Sequence, residues 1–349
     1  MRVPDAQNRD LRPQSRMTPA TDVTVTTSGS PSAPADPIDL RSDLGAPASP
    51  PAHPHRLRVD PEAWRSAAAQ KVVDVIDLPD EPAPRLQRPV LMVHGFLGDA
   101  SDYAGMITWL GRDGANQFGG VIAGGQPFEA DPKANFFVLE FSKRWNPIER
   151  NVSELKAAVD AICRQTGAKG VDIVAHSKGG LDVRTYLGDP DEKVDHLLLL
   201  GSPAHGAILA DLGAFARDAL HVNAFPPSND PDATTCLQEL SADRLDRDGT
   251  PTNPVLHELN ARWDEQKGRA DIMGIAGVGI PTVGGRLGTT PMGDGLVTER
   301  SAWLPGVPFK RLFMRAHQVL PFSKSVMREM AAFFTDSPSP EGRALRDDA

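Results

Sequence analysis

Short, nearly continuous apolar runs recur along the chain and alternate with longer stretches of helical periodicity. Val90 to Val93, Phe136 to Phe141, Val171 to Ala175, Val194 to Leu200, Ile272 to Ala276 and Arg311 to Met314 read as strands. Between them the pattern predicts helices near 102 to 110, 149 to 165, 179 to 187 and 319 to 334. Strands that are apolar throughout are covered on both faces, and strands separated by helices pair in parallel. The expectation is therefore α/β: a mostly parallel central sheet with helices on both faces. No internal repeat is evident. Asp60-Pro61-Glu62 offers an N-cap, a proline at the first helical position and an early acid ahead of a helix from Ala63 to Ile76, so the folded unit is expected to run from 57 to 335.

Composition changes the picture at both ends. Residues 1 to 56 are rich in Pro, Ala, Ser, Thr and Asp, with little periodic apolar content, and are expected to form a disordered arm. A flexible tail is expected over 336 to 349. The 349 residues, 40% hydrophobic and 24% charged, suffice for one large α/β domain or two ordinary ones, and a net charge of -9 argues against general nucleic-acid binding. No apolar run approaches the ~20 residues of a membrane span. No basic start followed by an apolar stretch follows Met1 or Met17, so no signal peptide is recognised and the expected location is cytoplasmic or reached by non-classical export. Cys163 and Cys236 are expected to be separate buried thiols.

The chemistry centres on Val171-Asp-Ile-Val-Ala-His-Ser-Lys-Gly-Gly180, an apolar strand running into a serine flanked by small residues. This predicts a strained strand-to-helix turn with Ser177 exposed as a nucleophile. Ala175 and Gly179 take the crowded positions two before and two after it, Ala175 being one methyl larger than the usual glycine. Directly after the first strand, His94-Gly95-Phe96-Leu97-Gly98 forms a loop at a strand end, where ligands of parallel sheets bind. Backbone amides of Phe96 and Lys178 are the candidate donors of an oxyanion hole. A serine needs a histidine base, and that base needs an acid. His317, on the loop between a strand and the final helix, is the leading candidate, with His196, His205, His221 and His257 left open. His176 is assigned a structural role, His94 belongs to the glycine loop, and His53 and His55 lie in the arm. Asp294, between glycines beyond a strand end, is the candidate acid, with Glu299 in reserve.

With these pieces in place the chain resembles the α/β-hydrolase superfamily, and more narrowly the bacterial lipases and esterases of the triacylglycerol lipase type. Val93-His94-Gly95-Phe96, Ala175-His176-Ser177-Lys178-Gly179-Gly180 and Asp294-Gly295-Leu296-Val297 carry the resemblance in the order Ser177, Asp294, His317, and Leu200 to Ala207 is similar to the segment leading into the cap of such lipases. The resemblance implies an α/β-hydrolase fold and hydrolysis of carboxylic esters, lipid esters above all, through an acyl-serine intermediate. It implies a helical cap inserted after the sixth strand, over about 204 to 268, and the length of chain between Gly201 and Asp271 agrees with a cap. Within it, Leu209 to Leu220 and Asn253 to Trp263 read as helices and 226 to 232 as a hinge. Trp109, Phe96, Phe225 and Met292 are candidate acyl-pocket residues. No cofactor and no metal is expected, because His317 is followed by Gln318-Val319-Leu320-Pro321 where many such lipases place a calcium-binding aspartate. The expected partner is a lipid or small ester, with transient lipid-surface contact and no nucleic acid. An acyltransferase, or a hydrolase of amides or polyesters, is the alternative on the same fold; a non-catalytic binding protein ranks last.

Overall fold

The computed structural model describes residues 78–207, 210, 230–282 and 291–336. The expected arm, the helix at 63 to 76, the helix at 209 to 220 apart from Ala210, Phe225, His221 and the residues beyond 336 lie outside the described residues. In chain order the strands are β1 (Val90–Val93), β2 (Phe118–Ala123), β3 (Phe136–Glu140), β4 (Val171–His176), β5 (Val194–Leu200), β6 (Asp271–Val278), β7 (Ile280–Pro281), β8 (Met292–Gly293) and β9 (Phe309–Phe313). Seven of them form one sheet in the order β2-β3-β1-β4-β5-β6-β9, and every neighbouring pair is parallel. β7 and β8 make a separate antiparallel pair.

The helices are α1 (Ala104–Gly111), α2 (Ile148–Thr166), α3 (Lys178–Tyr186), α4 (Pro231–Leu240), α5 (Pro254–Ala261), α6 (Trp263–Gln266), α7 (Glu299–Ala302) and α8 (Lys324–Asp336). Alternate residues of the central strands feed opposite layers, as a two-residue side-chain period requires. Leu91, Val93, Phe137, Leu139, Ile173, Ala175, Leu197 and Leu199 pack on one side against Leu155, Val159 and Ile162 of α2 and Val183 and Tyr186 of α3. Val90, Met92, Val138, Val174, Leu198 and Leu200 pack on the other against Met106, Ile107 and Trp109 of α1 and Val326, Met330 and Phe334 of α8. Helices therefore lie on both faces, as the continuous apolar strands require.

The structure adds one strand to the expected set and revises other expectations. β2, with Gly119 and Gly120, is not among the expected strands and lies at the sheet edge: the Phe137 ring of β3 fills the space a side chain at Gly119 would take, with Phe137 Cε1 only 2.0 Å from that Cβ position. Trp109 is core, 1% exposed, with its Nε1–H donated to the Glu81 carbonyl at 2.9 Å, and so lines no acyl pocket. Of the run at 226 to 232, where a hinge was expected, 226 to 229 lie outside the described residues; within 230 to 232, Asp230 caps α4 and accepts from the Asp232 amide at 3.0 Å, while Pro231 takes the first helical turn. Asp-Pro at a helix entry satisfies an orphan amide and presets φ, so it starts α4. The segment between Gly201 and Asp271 follows β5, the fifth strand in chain order among the described residues, where the expectation placed it after a sixth.

Candidate active site

Parallel pairing puts the carboxyl ends of β1, β4, β5, β6 and β9 side by side, with the glycine loop directly after β1, Ser177 directly after β4 and His317 a few residues after β9. Ser177 joins β4 to α3 with φ 54° and ψ -126°. A non-glycine residue at positive φ is strained and persists only where its surroundings fix it. The Ser177 amide donates to the Leu200 carbonyl at 2.9 Å, which holds the turn to β5. A Cβ on Gly179 would stand 2.6 Å from the His94 carbonyl oxygen, and one on Gly95 would stand 2.6 Å from Ser177 Cβ. Both residues must be glycine for the loop after β1 to lie on the elbow. Ala175 pairs with Val93 and Leu199 and is fully buried among core side chains, where its methyl packs.

The loop after β1 is held by a neutral histidine. His94 Nε2 accepts from the Phe141 amide at 3.2 Å, so the proton sits on Nδ1, which donates to the Gly95 carbonyl at 2.8 Å. Burial lowers the His94 imidazolium to about 4. The Leu97 amide donates to the Arg144 carbonyl at 2.8 Å, and Arg144 Nη2 pairs with Asp99 Oδ2 at 2.5 Å. On the other side of Arg144, Lys143 Nζ pairs with Asp230 and Asp232, and Trp145 Nε1 donates to Asp230 Oδ2 at 2.9 Å, so the same segment carries the start of α4. Among the described residues the amides of Phe96 and Lys178 have no hydrogen-bond acceptor.

Asp294 and His317 meet in the protein. His317 Nδ1 and Asp294 Oδ2 are 2.7 Å apart, both residues being buried. The other carboxylate oxygen, Oδ1, accepts from the amides of Val297 at 2.7 Å and Leu296 at 3.0 Å, and the His317 amide donates to the Asp294 carbonyl at 2.9 Å. Gly201, at the end of β5, passes so close that a Cβ there would be 3.0 Å from Asp294 Oδ2 and 3.1 Å from His317 Nδ1. His176, the residue before Ser177, stacks on His317 with ring centroids 4.7 Å apart and donates Nε2–H to its carbonyl at 3.0 Å. Burial, and then the neighbouring His317, push the His176 imidazolium well below its ordinary range. The Ser177 hydroxyl forms no hydrogen bond among the described residues, and such contacts are commonly long in ligand-free sites.

The remaining candidates lie elsewhere. Glu299 is in α7, paired with exposed Arg311 at 2.5 Å. His196 is buried at the amino-terminal end of the sheet against Asp172 and Arg88. His205 neighbours Asn260, and His257 is half exposed beside Asp243. Phe96 is partly buried against the insertion and Met292 is 46% exposed. Both cysteines are free and buried. Among the described residues no group of His, Cys, Asp and Glu is arranged to hold a metal. Three features have no equivalent in the sequence reading: the His94 lock, the Arg144 brace and the stacking of His176 on His317. Each joins residues far apart in the chain, so no local spacing reports it.

A family profile described as alpha/beta hydrolase fold matches residues 88–233. The lysosomal thioesterase PPT2-B of Xenopus laevis is 26% identical over 123 residues, 34% of this chain and 37% of that protein, so the match spans little more than a third of that relative. Among solved structures, a gene product of Listeria innocua aligns with TM-score 0.50 and 16% identity over 73% of this chain and 96% of its own. The mature form of the Bacillus licheniformis lipase BlEst2 aligns with TM-score 0.48 and 19% identity over 74% of this chain and 96% of its own. The family match over 88–233, the parallel sheet and the serine turn together show an α/β-hydrolase fold.

Proposed function

We propose that the protein hydrolyses carboxylic esters through an acyl-serine intermediate. The observation that carries this reading is the strained Ser177 at the β4–α3 turn with the buried Asp294–His317 pair stacked on the residue before it. His317 Nδ1 is committed to Asp294, which leaves Nε2 to take the Ser177 proton as Oγ attacks the ester carbonyl. Asp294, its second oxygen held by two amides, orients the ring and stabilises the imidazolium. The carbonyl oxygen becomes an oxyanion, which the amides of Phe96 and Lys178 receive. His317 then protonates the leaving alcohol, and water repeats the sequence on the acyl-serine.

The class of ester follows from what surrounds the acid and base. Met292, Phe313, Met314 and Val319 expose 46%, 74%, 55% and 45% of their surface within a few residues of Asp294 and His317. Exposed apolar side chains this near the acid and base in the chain support, in this reading, an ester with a hydrocarbon acyl chain and contact with a lipid surface. Residues 204 to 268 serve as the cap in this reading, supported by the packing of Cys236, Leu240, Leu256 and Leu259 against Leu181, Phe96 and Trp145. The thioesterase relative supports a second reading, in which the acyl group arrives as a thioester. The serine chemistry is the same and only the leaving group differs. Rates on oxygen esters and thioesters of equal chain length separate the two.

Ser177→Ala is expected to lower kcat on a p-nitrophenyl ester by roughly 10⁴-fold or more. A fluorescent phosphonate is expected to label the parent at Ser177 and to leave the variant unlabelled. Full activity in the variant, or labelling of a different residue, would end the proposal.

A further inference from the structure

α3 opens at Lys178, so this amide belongs to a first turn whose N–H groups have no intrahelical acceptor. Its direction depends on how the residue itself is held. The Lys178 side chain is buried, and Nζ stands 2.7 Å from Asp182 Oδ1, one helical turn further along α3. The second oxygen, Asp182 Oδ2, accepts from Asn151 Nδ2 of α2 at 2.9 Å, and Asn151 is also buried. Against its burial, Asp182 and then more distant Cys236 and Glu239 hold the Lys178 ammonium above the ordinary lysine range. A buried ion pair adds little net stability compared with apolar side chains of similar volume. Its place directly after the serine therefore calls for another account than stability.

We propose that the buried chain Lys178–Asp182–Asn151 is a positioning device for the oxyanion hole, stapling the first turn of α3 to α2 and so setting where the Lys178 amide points. The inference rests on the ester-hydrolase reading above. An oxyanion donor acts at ~2.7–3.1 Å from the oxygen of the tetrahedral state, so a small displacement weakens the transition state more than the bound ester. Loss of the staple is therefore expected in kcat and spares KM.

The double variant Lys178→Met/Asp182→Leu removes both charges together and leaves no unpaired ion in the core. Relative to the parent, its melting temperature is expected to stay close, its kcat to fall by ~10-fold or more, and its KM to change by less than about twofold. Labelling of Ser177 by the phosphonate is expected to slow in proportion. Asn151→Ala keeps the ion pair but unties it from α2, and the same split is expected at a smaller scale. Unchanged kcat in the double variant, or a loss confined to KM, overturns the inference; if the double variant does not fold, Asn151→Ala decides by the same criterion. Labelling of parent Ser177 is scored separately, so failure of the staple and failure of the serine mechanism give different results.

Discussion

Gly179 stands where the helix after the serine turn meets the loop after β1, and its missing side chain is what lets them meet. A methyl there would fall 2.6 Å from the His94 carbonyl oxygen and 2.8 Å from that of Val93, both of them backbone atoms that cannot rotate away. Gly179→Ala is therefore expected to cost about 1 to 3 kcal/mol in urea denaturation and to reduce kcat sharply, because the strain separates the two amides proposed as oxyanion donors. Parent-like stability together with parent-like kcat would show that the loop does not lie on the elbow. The Ala175 methyl, by contrast, packs among Val93 and Leu199 in the sheet layer, which is why alanine serves at the first crowded position and only glycine at the second. The small residues were legible in the sequence, but which of them had no room for a methyl was not. That depended on a carbonyl more than eighty positions earlier in the chain.

Among the elements, α4 is tied to the segment 143–148 that follows β3. Its Asp230 cap is gripped by Lys143 and Trp145, and Glu239 near its other end accepts from the Ile148 amide at 2.8 Å. Burial lifts the Glu239 carboxyl from 4.5 to about 7, against the pull of Lys178. The fold thus favours the protonated form: the stability this contributes is complete below about 4.5, declines as pH rises, and is lost above about 7. Glutamine cannot ionise, so Glu239→Gln is expected to gain on the parent between pH 5 and 8 by on the order of 2 to 3 kcal/mol. Melting temperatures of both proteins across that range test this, and parallel curves would contradict it. The strands of the central sheet and helices α2 and α3 were legible from apolar runs and periodicity. β2 was not, because its glycines make room for a neighbour's ring, a need set by the adjoining strand.

At the scale of the whole molecule, the sheet separates the candidate active site from a buried ion-pair anchor. At the carboxyl ends of the strands lie Ser177, Asp294 and His317; at the amino ends Arg88 Nε meets Asp172 Oδ1 at 2.8 Å and His196 Nδ1 meets the same oxygen at 2.7 Å. Arg88→Met strips a buried carboxylate of its cation and is expected to destabilise the protein by about 3 kcal/mol while kcat and KM stay unchanged. Denaturant midpoints and steady-state kinetics on one preparation test the separation, and a kcat loss without a stability loss would refute it. The sequence by itself determined the parallel sheet, the serine turn and the residue types at the strand ends, because these follow from local periodicity, small-residue spacing and chain order. Tertiary structure alone decided that Asp294 meets His317, that His94 is locked neutral, and that Lys178 is stapled through Asp182 to α2. Each of these joins groups whose distance depends on strand order and register, and no stretch of sequence encodes that distance locally.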